Sequence, residues 1–337
     1  MDDLDWLIEN GYITKRKHPE EDLFILNYTP KTQYEAFWNS VTEQCRGLIV
    51  DSSMNVRSRC FRKFFNYEEV LPHVNKRISK GLGFEVFDKM DGSLGILYWV
   101  GDKPFVATRG SFESDQALRA TKILHEKYSD ARLDKDVSYL FEIIYPENRI
   151  CVDYKSLEDI IFLSAFETAS GKELDIRPDP FRRAEKRNFS LGFDEIKRMD
   201  ISNKEGFVVR FDDGFRFKIK FQNYVRLHSL MFSLSSRTIW DSLRHNQEVC
   251  LDGVPDEVFE WVRSCKQEIL NEKNRIIAEA SDTFNSISGC DRKSFAERAL
   301  KTKYAPILFK MFDGKSYDEI VWKIVEPDYK TPRHEEI

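Results

Sequence analysis

Apolar and polar side chains alternate on both sides of the pentapeptide Lys89-Met90-Asp91-Gly92-Ser93. The approach, Phe84-Glu85-Val86-Phe87-Asp88, has the period of a half-buried strand, and Ile96-Leu97-Tyr98-Trp99-Val100 reads as a second strand after the turn. A chain with this pattern must build sheet. Gly92 permits torsions and close approaches that a side chain would forbid. Ser93 and the adjacent amides offer hydrogen bonds to phosphate or ribose oxygens, and Lys89 becomes a nucleophile if its ammonium gives up a proton. Desolvation and nearby positive charge would favour that loss. The same five residues also suit a solvated hairpin, because Asp-Gly is a common turn pair. The choice rests on the rest of the chain.

Short alternating segments recur up to about residue 230, at 47–50, 139–144, 160–166, 206–211 and 215–221, and Asp212-Asp213-Gly214 joins the last two as a hairpin. Helices are expected at 114–128, where Ala117, Ala120, Ile123, Leu124 and Tyr128 share a stripe, and at 193–199. Beyond residue 230 the period changes. Val258, Val262, Cys265, Ile269, Ile276 and Ala280 recur at helical spacing after a start at Pro255-Asp256, with shorter helices at 295–300 and 317–324. The expected architecture is α+β: an antiparallel-sheet domain over residues 1–230, then a helical domain over 231–337.

The bulk properties exclude several classes. No apolar run is long enough for a membrane span, and the start, Met1-Asp2-Asp3-Leu4-Asp5, is acidic where a signal peptide is basic, so a soluble, cytoplasmic protein is expected. With a net charge of −5, any phosphate-binding surface must be local. The six cysteines are scattered without a Cys-x-x-Cys pair, which argues for reduced buried thiols over structural zinc or a disulfide framework.

Several charged clusters sit at strands or strand ends. Cys45-Arg46-Gly47 precedes one strand, Arg62-Lys63-Phe64-Phe65-Asn66 pairs cations with rings, and Thr108-Arg109-Gly110-Ser111 ends the strand after the lysine motif. Glu142 interrupts an apolar strand and so faces solvent or a polar cavity, and Glu205-Gly206 starts another. In Phe217-Lys218-Ile219-Lys220-Phe221, alternation sends both lysines to one face. Alone, such a face is a solvated one; beside Lys89 it would neutralise an attacked phosphate and help lower the lysine's pKa.

This ordered set resembles the covalent nucleotidyltransferases, which include ATP-dependent ligases and capping guanylyltransferases. It is most similar to the RNA ligase family of T-even bacteriophages that repairs broken tRNA. Lys89-x-Asp91-Gly92 looks like the nucleotidyl-lysine motif, and Phe141-Glu142, Glu205-Gly206 and Lys218-Ile219-Lys220 like later motifs. Glu43-Gln44-Cys45-Arg46-Gly47, Lys63-Phe64-Phe65-Asn66, Asn148-Arg149-Ile150, Tyr224-Val225 and Leu227-His228 carry the closer likeness.

The resemblance implies a nucleotidyltransferase (ATP-grasp-like ligase) fold, ATP as co-substrate and Mg2+ or Mn2+. It implies that Lys89 takes the AMP, and that Tyr28, Arg46, Lys63, Phe65, Gly92, Ser93 and Arg109 lie in the nucleotide pocket. Glu142 is implied at the ribose or metal, Glu205 at the base or a metal-bound water, and Lys218 and Lys220 at the phosphates. The implied partner is RNA with 5′-phosphate and 3′-hydroxyl ends, such as cleaved tRNA, prepared by an end-healing kinase or phosphatase; the helical region would bear on RNA choice. Arg109 stands where the phage ligase has lysine, which keeps the charge and changes its shape. A capping-type guanylyltransferase and a catalytically silent RNA-binding module stay open as alternatives, whereas a DNA ligase is disfavoured because helices, not a β-barrel, follow the core.

Overall fold

The computed structural model describes residues 2–189, 192–249, 251, 254 and 256–332. It separates into two compact units, Met1–Val225 and Arg226–Ile337, divided inside the helix Gln222–Ser233, a few residues before position 230.

The first unit is α+β and carries three sheets. Strands β1 (Ile13–Lys17), β2 (Phe24–Tyr28), β3 (Arg46–Val50) and β4 (Val56–Ser58) form an antiparallel meander. The remaining strands are β5 (Phe65–Asn66), β6 (Phe84–Asp88), β7 (Ser93–Val100), β8 (Lys103–Thr108), β9 (Val137–Ile144), β10 (Asp159–Glu167), β11 (Glu173–Leu174), β12 (Lys186–Arg187), β13 (Gly206–Phe211) and β14 (Arg216–Lys220). They build two five-stranded sheets, ordered β11-β10-β9-β7-β8 and β12-β6-β13-β14-β5. All named pairs are antiparallel except β14 with β5, where Phe217 faces Phe65 and Lys218 faces Asn66 in parallel register.

Strand alternation works as the sequence pattern requires. Along β14, Phe217 and Ile219 are buried while Lys218 and Lys220 lie on the other, partly open face. The expected helix at 114–128 spans Asp115–Lys127, capped by the Ser114 side chain, and buries Ala117, Ala120, Ile123 and Leu124. Ala120, Ile123 and Leu124 pack into one core with Phe141, Phe162 and Tyr139. The helices Asp2–Glu9, Pro30–Tyr34 and Leu71–Ser79 are additions to the sequence-based expectation; the last is nine residues long and buries only Val74, too few apolar positions to register as a stripe.

In the second unit every named element is a helix. The long helix Asp256–Ile287 buries Val258, Val262, Cys265, Ile269, Ile276 and Ala280, the stripe read from the sequence; Pro255, its expected start, lies outside the described residues, as does Cys250. Trp240 donates its indole N–H to the Trp322 carbonyl at 2.9 Å, and the Lys273 ammonium stands 4.1 Å from the Trp322 ring centre. Among the described residues no helix is long and apolar enough to cross a membrane.

Candidate active site

Lys89 follows β6 directly, and its amide donates to the Gly206 carbonyl at 2.9 Å, so the lysine and the start of β13 are stitched together. Glu205, the residue before β13, then meets the Lys89 ammonium at 2.7 Å and the Lys220 ammonium at 2.8 Å. Gly206 makes this crossing possible: its φ is +145°, and a Cβ there would lie 2.0 Å from the Ile219 carbonyl oxygen. On the neighbouring sheet, Glu142 accepts the Gly92 amide at 3.0 Å. Gly92 is glycine for the same kind of reason, since a Cβ would fall 2.5 Å from the Ile143 carbonyl oxygen. Asp91 is buried. Its carboxylate accepts the amides of Cys151 and Val152, each at 2.8 Å, and the Tyr224 hydroxyl at 2.7 Å.

A second cluster gathers cations over rings. The Lys63 ammonium lies 4.9 Å from the ring centre of Trp38, 5.4 Å from Phe65 and 5.5 Å from Tyr28. Arg109 donates to the Tyr28 hydroxyl at 3.1 Å and also stands over that ring. Arg46 and Lys218 approach Phe64 from 5.6 and 5.9 Å. Thus Tyr28 and Arg46 come from the meander, Ser93, Arg109 and Glu142 from the sheet containing β7, and Lys89, Glu205, Lys218, Lys220 and Phe65 from the sheet containing β14. Ser93 exchanges hydrogen bonds with Asn148, whose amide also reaches the Ile143 carbonyl at 3.1 Å.

The electrostatics correct one expectation. Burial alone would lower the Lys89 pKa, but Glu205, Glu142 and Asp91 together outweigh it and raise the pKa above the ordinary lysine value. Lys89 is therefore an ammonium in the unliganded protein, and the positive neighbours do not depress it. They depress Lys218 instead, brought to about 7 by burial and by Lys220, Lys89, Lys63 and Arg46. Burial also lifts Glu142 to about 7, with Glu205 and Asp91 adding to the rise and Lys89 opposing it. Glu205 is held below the usual carboxylate range, its burial outweighed by Lys89 and Lys220.

The surroundings of Glu142 suit a hard divalent cation: an oxygen donor crowded by two other carboxylates gains from added positive charge. Among the described residues no group of three His, Cys, Asp or Glu side chains forms a metal cage, so water and substrate oxygens would complete the shell.

Sequence reasoning missed Trp38, Tyr154 and the supporting role of Tyr224. Trp38 sits in an irregular loop without strand or helix periodicity, and its position beside Lys63 becomes visible only in three dimensions. Tyr154 accepts the Asp91 amide at 2.9 Å from a turn far along the chain.

A family model described as RNA ligase, of the T4 type, matches residues 44–225, more than half of the chain. The chain belongs to the RNA ligase family. It is 22% identical to the RNA ligase of Rhodothermus phage RM378, over 87% of this chain and 85% of that protein. A candidate RNA ligase of Thermovibrio ammonificans is 26% identical over 80% of this chain and 73% of its own length. A candidate bifunctional polynucleotide kinase/RNA ligase of Autographa californica nuclear polyhedrosis virus is 27% identical over 46% of this chain, which spans only 26% of that protein. Among solved structures, a Naegleria gruberi RNA ligase variant with ATP and Mn is similar at 18% identity with a TM-score of 0.39, covering 49% of this chain and 56% of that one.

Proposed function

We propose that the protein is an ATP-dependent RNA ligase that joins a 5′-phosphate to a 3′-hydroxyl in three transfers. In the first, the Lys89 nitrogen, once deprotonated, attacks the α-phosphorus of ATP; the nitrogen–phosphorus bond forms and the bond to the bridging oxygen breaks, so pyrophosphate leaves. The AMP then passes to an RNA 5′-phosphate and frees the lysine. Finally the 3′-hydroxyl of the other end attacks that activated phosphate, forms the phosphodiester and releases AMP. Arg46, Lys63, Lys218 and Lys220 hold the phosphates, Tyr28 and Phe65 line the nucleotide pocket with Trp38, and Ser93, Arg109 and the backbone at Gly92 border it. Glu142 and Glu205 would hold Mg2+ or Mn2+, in part through water, and the ion would offset phosphate charge.

The observation that carries this reading is the Lys89 amine held on Glu205 in one pocket with Arg46, Lys63 and Lys218, which have no carboxylate in ion-pair range among the described residues. The first unit is then the adenylylation domain and the helical unit a contributor to RNA choice. An RNA substrate such as cleaved tRNA, an end-healing kinase or phosphatase as partner, and a cytoplasmic location complete the proposal. Incubation with α-labelled ATP should label the protein, and Lys89→Ala should abolish the label while leaving the circular dichroism spectrum intact. Label from GTP alone would instead indicate a guanylyltransferase. Sealing of 5′-phosphorylated single-stranded RNA, compared with a nicked duplex and a cleaved anticodon stem-loop, defines the substrate.

A further inference from the structure

Three rings cluster at the surface of the first unit, next to the pocket and outside it. Trp6, on the helix Asp2–Glu9, lies 5.7 Å from Tyr12 with an interplanar angle of 18°. Phe37 stacks on Tyr12 at 4.5 Å and 26°. Tyr12 is half-buried and packs on the core around Leu7; the two rings beside it are open. Leu7 on the same helix is 2% exposed and does the packing, whereas Trp6 remains 50% exposed and Phe37 37%. Open rings with nearly parallel neighbours are a surface on which a planar base can add to the stack.

The charge around the rings sets the occupant. The Lys31 ammonium stands 4.3 Å from the Tyr12 ring centre and donates to the Asn10 carbonyl at 2.9 Å. Strand β1, which follows Tyr12, exposes Lys15, Arg16 and Lys17 in succession. Acidic groups are also present: Glu35 accepts the Tyr12 hydroxyl at 2.8 Å, and Asp5 and Glu9 are exposed on the helix of Trp6. A phosphate backbone would therefore follow the Lys31 and β1 side, with its bases turned to the rings.

The cluster is also continuous with the pocket. Phe37 and Trp38 are consecutive; one ring packs on Tyr12 and the other edges onto Tyr28 and Phe65 around Lys63. Their loop is held in shape by Asn39 and Thr42. The Asn39 side chain accepts the amides of Val41 and Thr42, each at 2.9 Å, and the Thr42 hydroxyl donates to the Phe37 carbonyl at 3.0 Å.

We propose that Trp6, Tyr12 and Phe37 form a stacking platform for unpaired nucleotides of the RNA strand whose end enters the pocket. The inference rests on the RNA-ligase reading. It is tested by titrating the full chain with a 5′-phosphorylated single-stranded RNA and following tryptophan quenching. One stacked base corresponds to about a tenfold change in affinity. Trp6→Ala and Phe37→Ala should each weaken RNA binding by about that factor, and Trp6→Phe should recover most of it. Labelling by ATP in the same preparations is an independent check on the nucleotide pocket. If wild-type protein is never labelled, the ligase reading fails, and the RNA titration still judges the platform. If the labelled variants bind RNA as tightly as wild type, the platform is overturned and the rings are left as a protein-docking face.

Discussion

The two halves of the pocket handle charge in opposite ways. Around Lys89, each cation has an anion: Glu205 serves Lys89 and Lys220 at once, at 2.7 and 2.8 Å. Around Lys63, the cations Arg46, Lys63, Arg109 and Lys218 are met by rings, a hydroxyl and a thiol, with no carboxylate in ion-pair range among the described residues. Aromatic faces attract cations without neutralising them. The first half is complete without ligand; the second is arranged for an anion that the chain does not supply. Under the proposed function, a nucleotide with a polyphosphate tail would match this division, its phosphates set against the unneutralised cations and its α-phosphorus against the lysine.

Removing the anion from the balanced half should have the largest effect. Glu205→Gln leaves two ammoniums facing a neutral amide. Losing one partner of a buried ion pair costs several kcal/mol, and because both lysines are partly open the expected loss of stability is about 2 kcal/mol. Formation of the AMP adduct should fall at least about a hundredfold, as on loss of a preorganised electrostatic contact. The opposing effect is explicit: without Glu205, Lys89 loses a neighbour that raises its pKa and should deprotonate more easily. Faster labelling of Glu205→Gln than of wild type at pH 7 would show that deprotonation, and not placement, limits the reaction, and the first half of the comparison would break.

The sequence reveals the balanced half better than the cationic one, for a physical reason. Lys89, Glu205 and Lys220 all lie on or beside strands whose period-2 alternation constrains the facing of each side chain, so each is legible as a candidate from the strand pattern that frames it. Helical spacing in turn conveys the long helix of the second unit through its buried stripe. Trp38 carries no such signal, because its loop is shaped by Asn39 and Thr42 hydrogen bonds and not by periodicity. The raised pKa of Lys89 is hidden in the sequence for a related reason. The lysines on β14 are visible in the sequence as neighbours, whereas the 2.7 Å contact to Glu205 depends on the backbone crossing at Gly206. Residues flanking the lysine motif likewise hide their roles: Asp91 looks like part of a turn, yet it anchors two amides and a tyrosine hydroxyl.

The cationic half makes a prediction that depends on pH. Lys218 has a folded-state pKa of about 7, below its unfolded value, so the unfolded chain binds more protons between that pH and about 10.5. Its charge therefore destabilises the fold fully at pH 6, and the cost fades as pH rises through the alkaline range. Lys218→Met should stabilise the protein by about 1–3 kcal/mol at pH 6 and by less at pH 9, read from urea denaturation at both values. ATP should reverse the depression, because phosphates favour the charged amine. Calorimetric titrations at pH 8 in buffers of different ionisation enthalpy should then show proton uptake on ATP binding, and Lys218→Met should reduce it. Uptake that persists undiminished in the variant would place the titrating group elsewhere and weaken the contrast between the halves.

The smallest effect should come from trimming one hydroxyl at the edge of the cationic half. Tyr28 is buried, Arg109 is exposed, and a single 3.1 Å hydrogen bond joins them above the ring. Tyr28→Phe removes that bond and keeps the ring that Arg109 and Lys63 face. A hydrogen bond from a solvent-exposed guanidinium is worth about 0.5–1 kcal/mol net, so the KM for ATP in adduct formation should rise about two- to fivefold. The turnover of bound nucleotide should hardly move, since the hydroxyl is distant in role from the reacting nitrogen. Tyr28→Leu deletes the ring as well and should be clearly worse than Tyr28→Phe. Equal defects in the two variants would mean that the ring contributes nothing, and that the cations are held by something other than aromatic faces.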